Sequence, residues 1–430
     1  VVGAVVAALL ALIVISAARP GIASADSFAA DGSLDSTVDF GTNTGVMFNG
    51  GRYSRAQIDA QLAALARTGA TVVRSDALWE DAEPQSPIGI LHRYNWTLDD
   101  LIMSSLAAHG LRWLPIIDYT TPWARTAPAQ IHSPPSSASD YAAYAAAVAS
   151  RYGPGGSFWL ENPRLKPLPV LTYEIWNEPD NATFWYPTPN PAAYATLYGA
   201  ARSAILAKQP GSHVLIGGLT QPAWFLQAML TSAPGLRNAI DGVAVHPYGG
   251  TPDRVFANVR AARLAMRADG IGGVPLYITE FGWTTHGSAL RDSASPAARP
   301  GYISTAMSTL GHTDCGVAAV LLYAWTTPER NPGNAQDWFG ISPPGAGDSP
   351  DTAAFTTGLQ AGSAPAPPTL LCSEDPILLA RRALPLHRTP RRTPATRAAR
   401  TAGRSNHPAR VRCSRAAARR KRCRAAARRR

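Results

Sequence analysis

Two short stretches carry carboxylates in settings that suit catalysis. In YEIWNEPD (residues 173–180) a β-rich run ends in a polar cluster and a proline, with Glu174 and Glu178 four positions apart. In YITEFGW (277–283) Glu280 closes a second such run, 102 residues after Glu178. A carboxyl pair, one neutral and one ionised, can protonate a leaving oxygen and attack the same acetal carbon or activate water there. Other runs also end in polar or aromatic residues: Arg74 and Asp76 in TVVRSD, His246 and Tyr248 in IDGVAVHPY, and Trp325 in GVAAVLLYAW.

Strand periodicity sorts the glutamates. Alternate residues share a face, so Glu174 lies on the face of Glu178 but deeper, where a buried ion pair or hydrogen bond is its expected role. Asn177 and Glu178 are neighbours, and a regular strand cannot aim both at one cleft. The strand is therefore expected to end or bulge at that point.

The elements that must position these groups follow a rhythm of short β-rich runs and longer alanine-rich helical runs. Strands are expected at 45–50, 71–76, 112–119, 170–178, 213–218, 240–248, 275–283 and 316–325. Helices are expected between them, for example over 54–70, 191–211, 253–270 and 351–362. Eight such units predict an α/β chain folded as a (β/α)₈ barrel, in which chemistry sits at the C-terminal ends of the strands. A doubly wound open sheet is the rival, but GVMFNGGRYS after the first run makes a poor phosphate-binding turn.

The net charge of +11 is unevenly distributed. Residues 381–430 hold 19 Lys and Arg and no acid, and subtracting them leaves −8 for the rest. The expected organisation is a signal peptide or N-terminal membrane anchor over 1–25, a barrel over 40–362, a linker over 363–380 and a low-complexity basic tail over 381–430. That tail could touch an anionic polymer through charge alone, but it lacks the interleaved aromatics of a base-stacking surface. Cys315 and Cys372 could pair, as could Cys413 and Cys423, and their spacing resembles no zinc site. No cofactor or metal is expected. The sequence reads as an exported monomer facing the cell exterior or envelope, held at a membrane only if the N-terminal segment stays uncleaved.

IWNEPD at the fourth strand and YITEFGW at the seventh resemble the retaining glycoside hydrolases of the large (β/α)₈ clan, over about residues 45–362. That clan includes the family 5 cellulases and the family 39 β-xylosidases and endo-glycosidases. The resemblance implies Glu178 as acid/base and Glu280 as nucleophile. It implies Arg74 as the arginine that keeps the nucleophile ionised and Asn177 as the contact to the sugar 2-hydroxyl. It further implies His246 and Tyr248 as a His-x-Tyr pair beside the nucleophile, and Trp325 as the floor of the sugar site. IIDYTTPWA, where family 5 often has a histidine near the end of the third strand, looks more like family 39. The substrate class implied is a β-linked oligo- or polysaccharide, and the negative charge of Glu280 would favour a protonated Glu178.

Other roles compete for several of these residues. Arg74 could be purely structural, His246 an ordinary buried histidine, and Asp76 a loop cap. Trp79, Trp123, Trp185 and Trp283 suit core packing as well as a sugar cleft. A barrel that binds carbohydrate without turnover is the alternative function, though neither carboxylate nor Asn177 is lost.

Overall fold

The computed structural model describes residues 38–48, 51–286, 292–329 and 331–373. The expected signal or anchor segment, the basic tail, and Cys413 and Cys423 lie outside them. No helix among the described residues is long and apolar enough to cross a membrane.

Eight parallel strands close into a barrel in chain order. They are β1 (Asp39–Asn43), β2 (Val72–Leu78), β3 (Arg112–Asp118), β4 (Thr172–Ile175), β5 (His213–Leu219), β6 (Gly242–Val245), β7 (Leu276–Ile278) and β8 (Val317–Leu322). The helices that follow them in turn are α1 (Arg55–Arg67), α2 (Thr97–Ala108), α3 (Ala138–Tyr152), α4 (Pro191–Lys208), α5 (Pro222–Ser232), α6 (Pro252–Ala268), α7 (Arg299–Gly311) and α8 (Pro350–Ser363). Their starts are chemically marked. Ser54 and Ser349 form capping boxes with Gln57 and Thr352, and proline opens α4, α5, α6 and α8.

The first strand corrects the expectation of 45–50. β1 is DFGTN, a few residues earlier, and Met47 and Phe48 are buried in the loop after it. DFGTN has no aliphatic run, and at Gly41 the neighbouring strand leaves no room for any side chain. A side chain at Gly41 would place Cβ 1.8 Å from the Val72 carbonyl oxygen.

The barrel interior is layered. Val72, Leu114, Leu215, Ala244 and Leu321 form a small apolar plug in its lower half, while a much larger core lies between strands and helices. One step above Val72 on the same face of β2 comes Arg74, so the inner layer turns from hydrocarbon to charge toward the C-terminal mouth.

The stretch read as a linker from 363 begins bonded to the body. Thr369 bridges to Thr313, and the Asp314 carboxylate accepts the N–H groups of Leu371, Cys372 and Ser373. These donors outweigh partial burial and hold Asp314 below the usual carboxylate range. A Cys315–Cys372 disulfide closes the same junction across 57 residues of sequence. Replacing both cysteines by serine is predicted to lower unfolding stability by about 2–4 kcal/mol. This would be read as a fall in denaturant midpoint, with m rising as the unlinked denatured chain expands. An unchanged midpoint would mean that the Asp314 bonds hold the segment alone.

Candidate active site

Arg74 sits at the centre of the barrel mouth, 1% exposed. A buried guanidinium needs acceptors for five N–H bonds, and here each has one. Nε and Nη2 grip Glu174 side-on at 2.8 Å each, and Nη2 also donates to Asn177 Oδ1 at 2.9 Å. Nη1 donates to Asn43 Oδ1 at 2.8 Å and to Glu280 Oε1 at 2.6 Å. Burial opposes the charge on Arg74, but Glu174 and Glu280 outweigh it and keep the group cationic. Glu174 is thus the structural partner its depth suggested, and its Oε1 also accepts the Gly218 N–H at 2.8 Å.

Glu280 is held at both oxygens, by Arg74 on Oε1 and by the Tyr248 hydroxyl on Oε2 at 2.8 Å. Burial works toward the protonated form. His246, Arg74 and the Tyr248 bond prevail, so Glu280 titrates below the ordinary glutamate range. Tyr248, pushed well above its usual range by burial and by the Glu280 charge, stays a donor. With both oxygens of Glu280 committed to donors, the Glu178–His246–Glu280 cluster is poorly suited to holding a metal, although its ligand atoms all lie within 4.8 Å of one another.

Glu178 reaches the same space from β4. The strand ends at Ile175, and Trp176 and Glu178 adopt left-handed backbone at φ 66° and 46°. Such conformations in side-chain-bearing residues cost of order 1–3 kcal/mol each and persist only where surroundings impose them. Here they break the alternation, so that Asn177 and Glu178 both line the cleft while the Trp176 ring is buried. Glu178 Oε1 meets His246 Nδ1 at 2.9 Å, and Oε2 accepts from Asn181 Nδ2 at 2.7 Å. His246 Nδ1 is also 3.7 Å from Glu280 Oε2, so the imidazole stands between the two carboxylates. Burial lowers its proton affinity, but Glu280 and the Glu178 bond raise it further, and the net shift is upward. The ring fits because β5 carries glycine beneath it: a Cβ at Gly218 would lie 2.0 Å from Nε2.

One predicted site residue lies elsewhere. Trp325 is 1% exposed and does not line the cleft. β8 ends at Leu322, and beyond it the indole turns to the helices, donating to the Gln61 carbonyl of α1 and packing edge-on against Phe355 of α8. The aromatic that the segment after β8 gives the cleft is Tyr323, beside Phe339 at 5.4 Å between ring centres. Trp79, Trp123, Trp185 and Trp283 also do not line the cleft, while Tyr119, Phe184 and Trp224 do. The cleft encloses about 1680 Å³.

The sequence also hid Asn43, Asn181 and Asp118. Asn43 bridges Arg74 to the Thr279 carbonyl beside Glu280. Asp118, fully buried at the end of β3, accepts the Asn177 N–H at 3.0 Å and so pins the strained turn. Its Oδ2 has no hydrogen-bond partner among the described residues. Burial and the nearby Asp76 push its carboxyl well above the usual range, so its proton is held more tightly in the folded protein than in the unfolded chain. The stability this proton confers is complete below about pH 4, the unfolded value, and drains away as pH rises. Asp118→Asn, which keeps the acceptor without the ionisation, is predicted to raise the melting temperature at pH 7 but not at pH 4. Asp118→Leu, which removes the acceptor, is predicted to lower it at both. Equal effects of the Asn variant at the two pH values would contradict the upward shift of Asp118.

No family model matches the sequence, and no curated protein matches it. Solved structures do. The GH39 β-xylosidase from Caulobacter crescentus superposes with a TM-score of 0.58 at 21% identity, over 75% of this chain and 71% of its own. The GH39 enzyme from Xanthomonas axonopodis pv. citri gives 0.57 at 20% identity, over 75% and 66%. The endo-1,4-β-mannanase from Rhizomucor miehei gives 0.52 at 15% identity, over 76% and 95%. The chain thus spans about two thirds of the length of the two GH39 enzymes and nearly all of the mannanase. At these identities the likeness establishes a shared (β/α)₈ fold.

Proposed function

We propose that the protein is a retaining β-glycosidase in which Glu280 is the nucleophile and Glu178 the acid/base. The observation that carries this reading is the unequal pair of carboxylates across the cleft. Their nearest oxygens lie within 4.8 Å, and only one of the two is clamped by a guanidinium and a phenol. Retaining enzymes place their carboxyl groups about 5–5.5 Å apart, whereas inverting ones need about 6.5–9.5 Å to admit a water. The fold shared with xylosidases and a mannanase supports the same reading.

In the first step an ionised Glu280 oxygen bonds to the anomeric carbon while Glu178 gives its proton to the glycosidic oxygen, and the carbon–oxygen bond breaks. The product is a glycosyl ester on Glu280, and the leaving group departs as an alcohol. Glu178, now a carboxylate, removes a proton from water as that water attacks the anomeric carbon, the bond from that carbon to the Glu280 oxygen breaks, and Glu280 returns as a carboxylate to its Arg74 and Tyr248 donors. His246, hydrogen-bonded to Glu178 and close to Glu280, steadies charge on whichever carboxylate bears it. The Asn177 amide oxygen is taken by Arg74, leaving its NH₂ as the donor available to a sugar hydroxyl. Export belongs to the same proposal, supported by the leader-like N-terminus and by a disulfide suited to an oxidising compartment.

Glu280→Gln is predicted to abolish turnover of β-glycosides. Glu178→Gln should cost roughly 10²–10⁴-fold on substrates whose leaving group needs a proton, and much less on those with good leaving groups. Undiminished hydrolysis by the Glu280 variant, or a product of inverted anomeric configuration, would sink the assignment. A second expectation concerns pH. Tyr248 stabilises the ionised form of Glu280, so Tyr248→Phe should move the acid limb of kcat/KM to higher pH. A limb that stays in place or moves lower would remove Tyr248 from that role.

A further inference from the structure

Ten large apolar side chains are strongly exposed among the described residues, and Trp224 is the one that lines the cleft. It is 40% exposed, near the start of α5, and its ring rests edge-on against the fully buried Phe225 at 5.3 Å. An exposed tryptophan is often only a surface residue, but this one is tied to the catalytic loop. Asp180, two residues after Glu178 and 2% exposed, accepts the Gln221 N–H at 2.5 Å and the Thr220 hydroxyl at 3.3 Å. The loop from β5 to α5 is therefore anchored to the segment that carries the proposed proton donor.

The arrangement around the mouth distinguishes its two sides. Arg74 draws Asn43, Asn177 and Glu280 together, and Tyr323 and Phe339 from the segment after β8 also line the cleft. That is where the sugar under attack must sit to reach Glu280 and the Asn177 amide. Glu178 takes its partners from Asn181 and from His246 of the loop after β6, with β5 lying between β4 and β6. Thr220, Gln221 and Trp224, from the loop after β5 and the start of α5, line the cleft on that side.

We infer that Trp224 is the floor of a saccharide site for the leaving group. The sugar released by protonation from Glu178 stacks on the indole, and the substrates are β-linked chains whose leaving group is itself a sugar. This inference rests on the glycosidase reading above. The faces of a pyranose and of an indole are both broad and apolar, and such stacking favours longer chains without contributing to the attack itself.

The test compares Trp224→Ala with the wild-type full chain on two probe sets. β-Xylosyl, β-glucosyl and β-mannosyl fluorides carry no leaving-group sugar. The matching β-1,4-linked tetra- to hexasaccharides do. On the fluorides the variant should lose far less kcat/KM than on the oligosaccharides. It should lose about tenfold in kcat/KM on the oligosaccharides, mostly through KM, and about tenfold in transfer from the fluoride to a disaccharide acceptor. Trp224→Phe should restore most of both. Unchanged oligosaccharide cleavage and transfer would overturn the inference, as would a parallel loss on the fluorides. A wild-type protein that turns over neither set would overturn the glycosidase reading and the inference with it.

Discussion

Everything at the mouth of this barrel depends on one buried guanidinium. Arg74 has five N–H donors and almost no access to water, so its neighbours must supply five acceptors in one plane. They come from β1, β4, the turn after β4 and the end of β7, through Asn43, Glu174, Asn177 and Glu280. Removing any one leaves a donor unpaired in a low-dielectric interior, which costs far more than the bond itself contributes. The same geometry places one carboxylate as a fixed anion and leaves the other, Glu178, outside the clamp. The chemical asymmetry of the pair follows from where the guanidinium reaches.

Strain gathers around this hub and is met by specific contacts. The left-handed backbone at Trp176 and Glu178 lets two adjacent residues face one cleft. It is held by the Asp118 carboxyl on the Asn177 amide and by Asn181 and His246 on the Glu178 oxygens. Paired glycines in β5 make room: a Cβ on Gly217 would strike the Trp176 carbonyl, and one on Gly218 the His246 ring. Glycine inside a strand gives up packing and costs entropy, and here the strand yields both to let its neighbours approach. A rigid apolar plug lies below this layer and a cleft lies above it, so the polar network is supported from one side and open on the other.

Much of this was legible in the sequence, for physical reasons that also mark its limit. Strands of a barrel covered by helices are apolar, so a charge at a strand end stands out. Arg74, Glu178, His246, Tyr248 and Glu280 all do, and the structure brings them together with Asn177. β1 is hard to read because DFGTN carries no aliphatic run, with Gly41 pressed against β2, and Asn43 is hidden with it. Asp118 sits inside the stretch expected as a strand over 112–119 and Asn181 lies beyond the fourth, and nothing in a linear sequence shows that they bond to the turn at 176–178. Aromatics misled most. Trp325 and Tyr323 are two positions apart, which on a continuing strand means the same face, but β8 stops at Leu322 and the relation fails. Side-chain size is written in the sequence, whereas the direction of a side chain past the end of a strand is not.

The central claim is that Glu280 becomes covalently bonded to the sugar. A 2-deoxy-2-fluoro β-glycoside with a good leaving group slows the second step more than it prevents the first, so the glycosyl ester accumulates. Digestion and mass spectrometry of the labelled protein then locate the sugar. The account predicts a single adduct of one fluorosugar on the peptide containing Glu280, absent from Glu280→Gln. An adduct on Glu178 or Glu174, or turnover of the parent glycoside with no adduct from any fluorosugar of matching configuration, would contradict it.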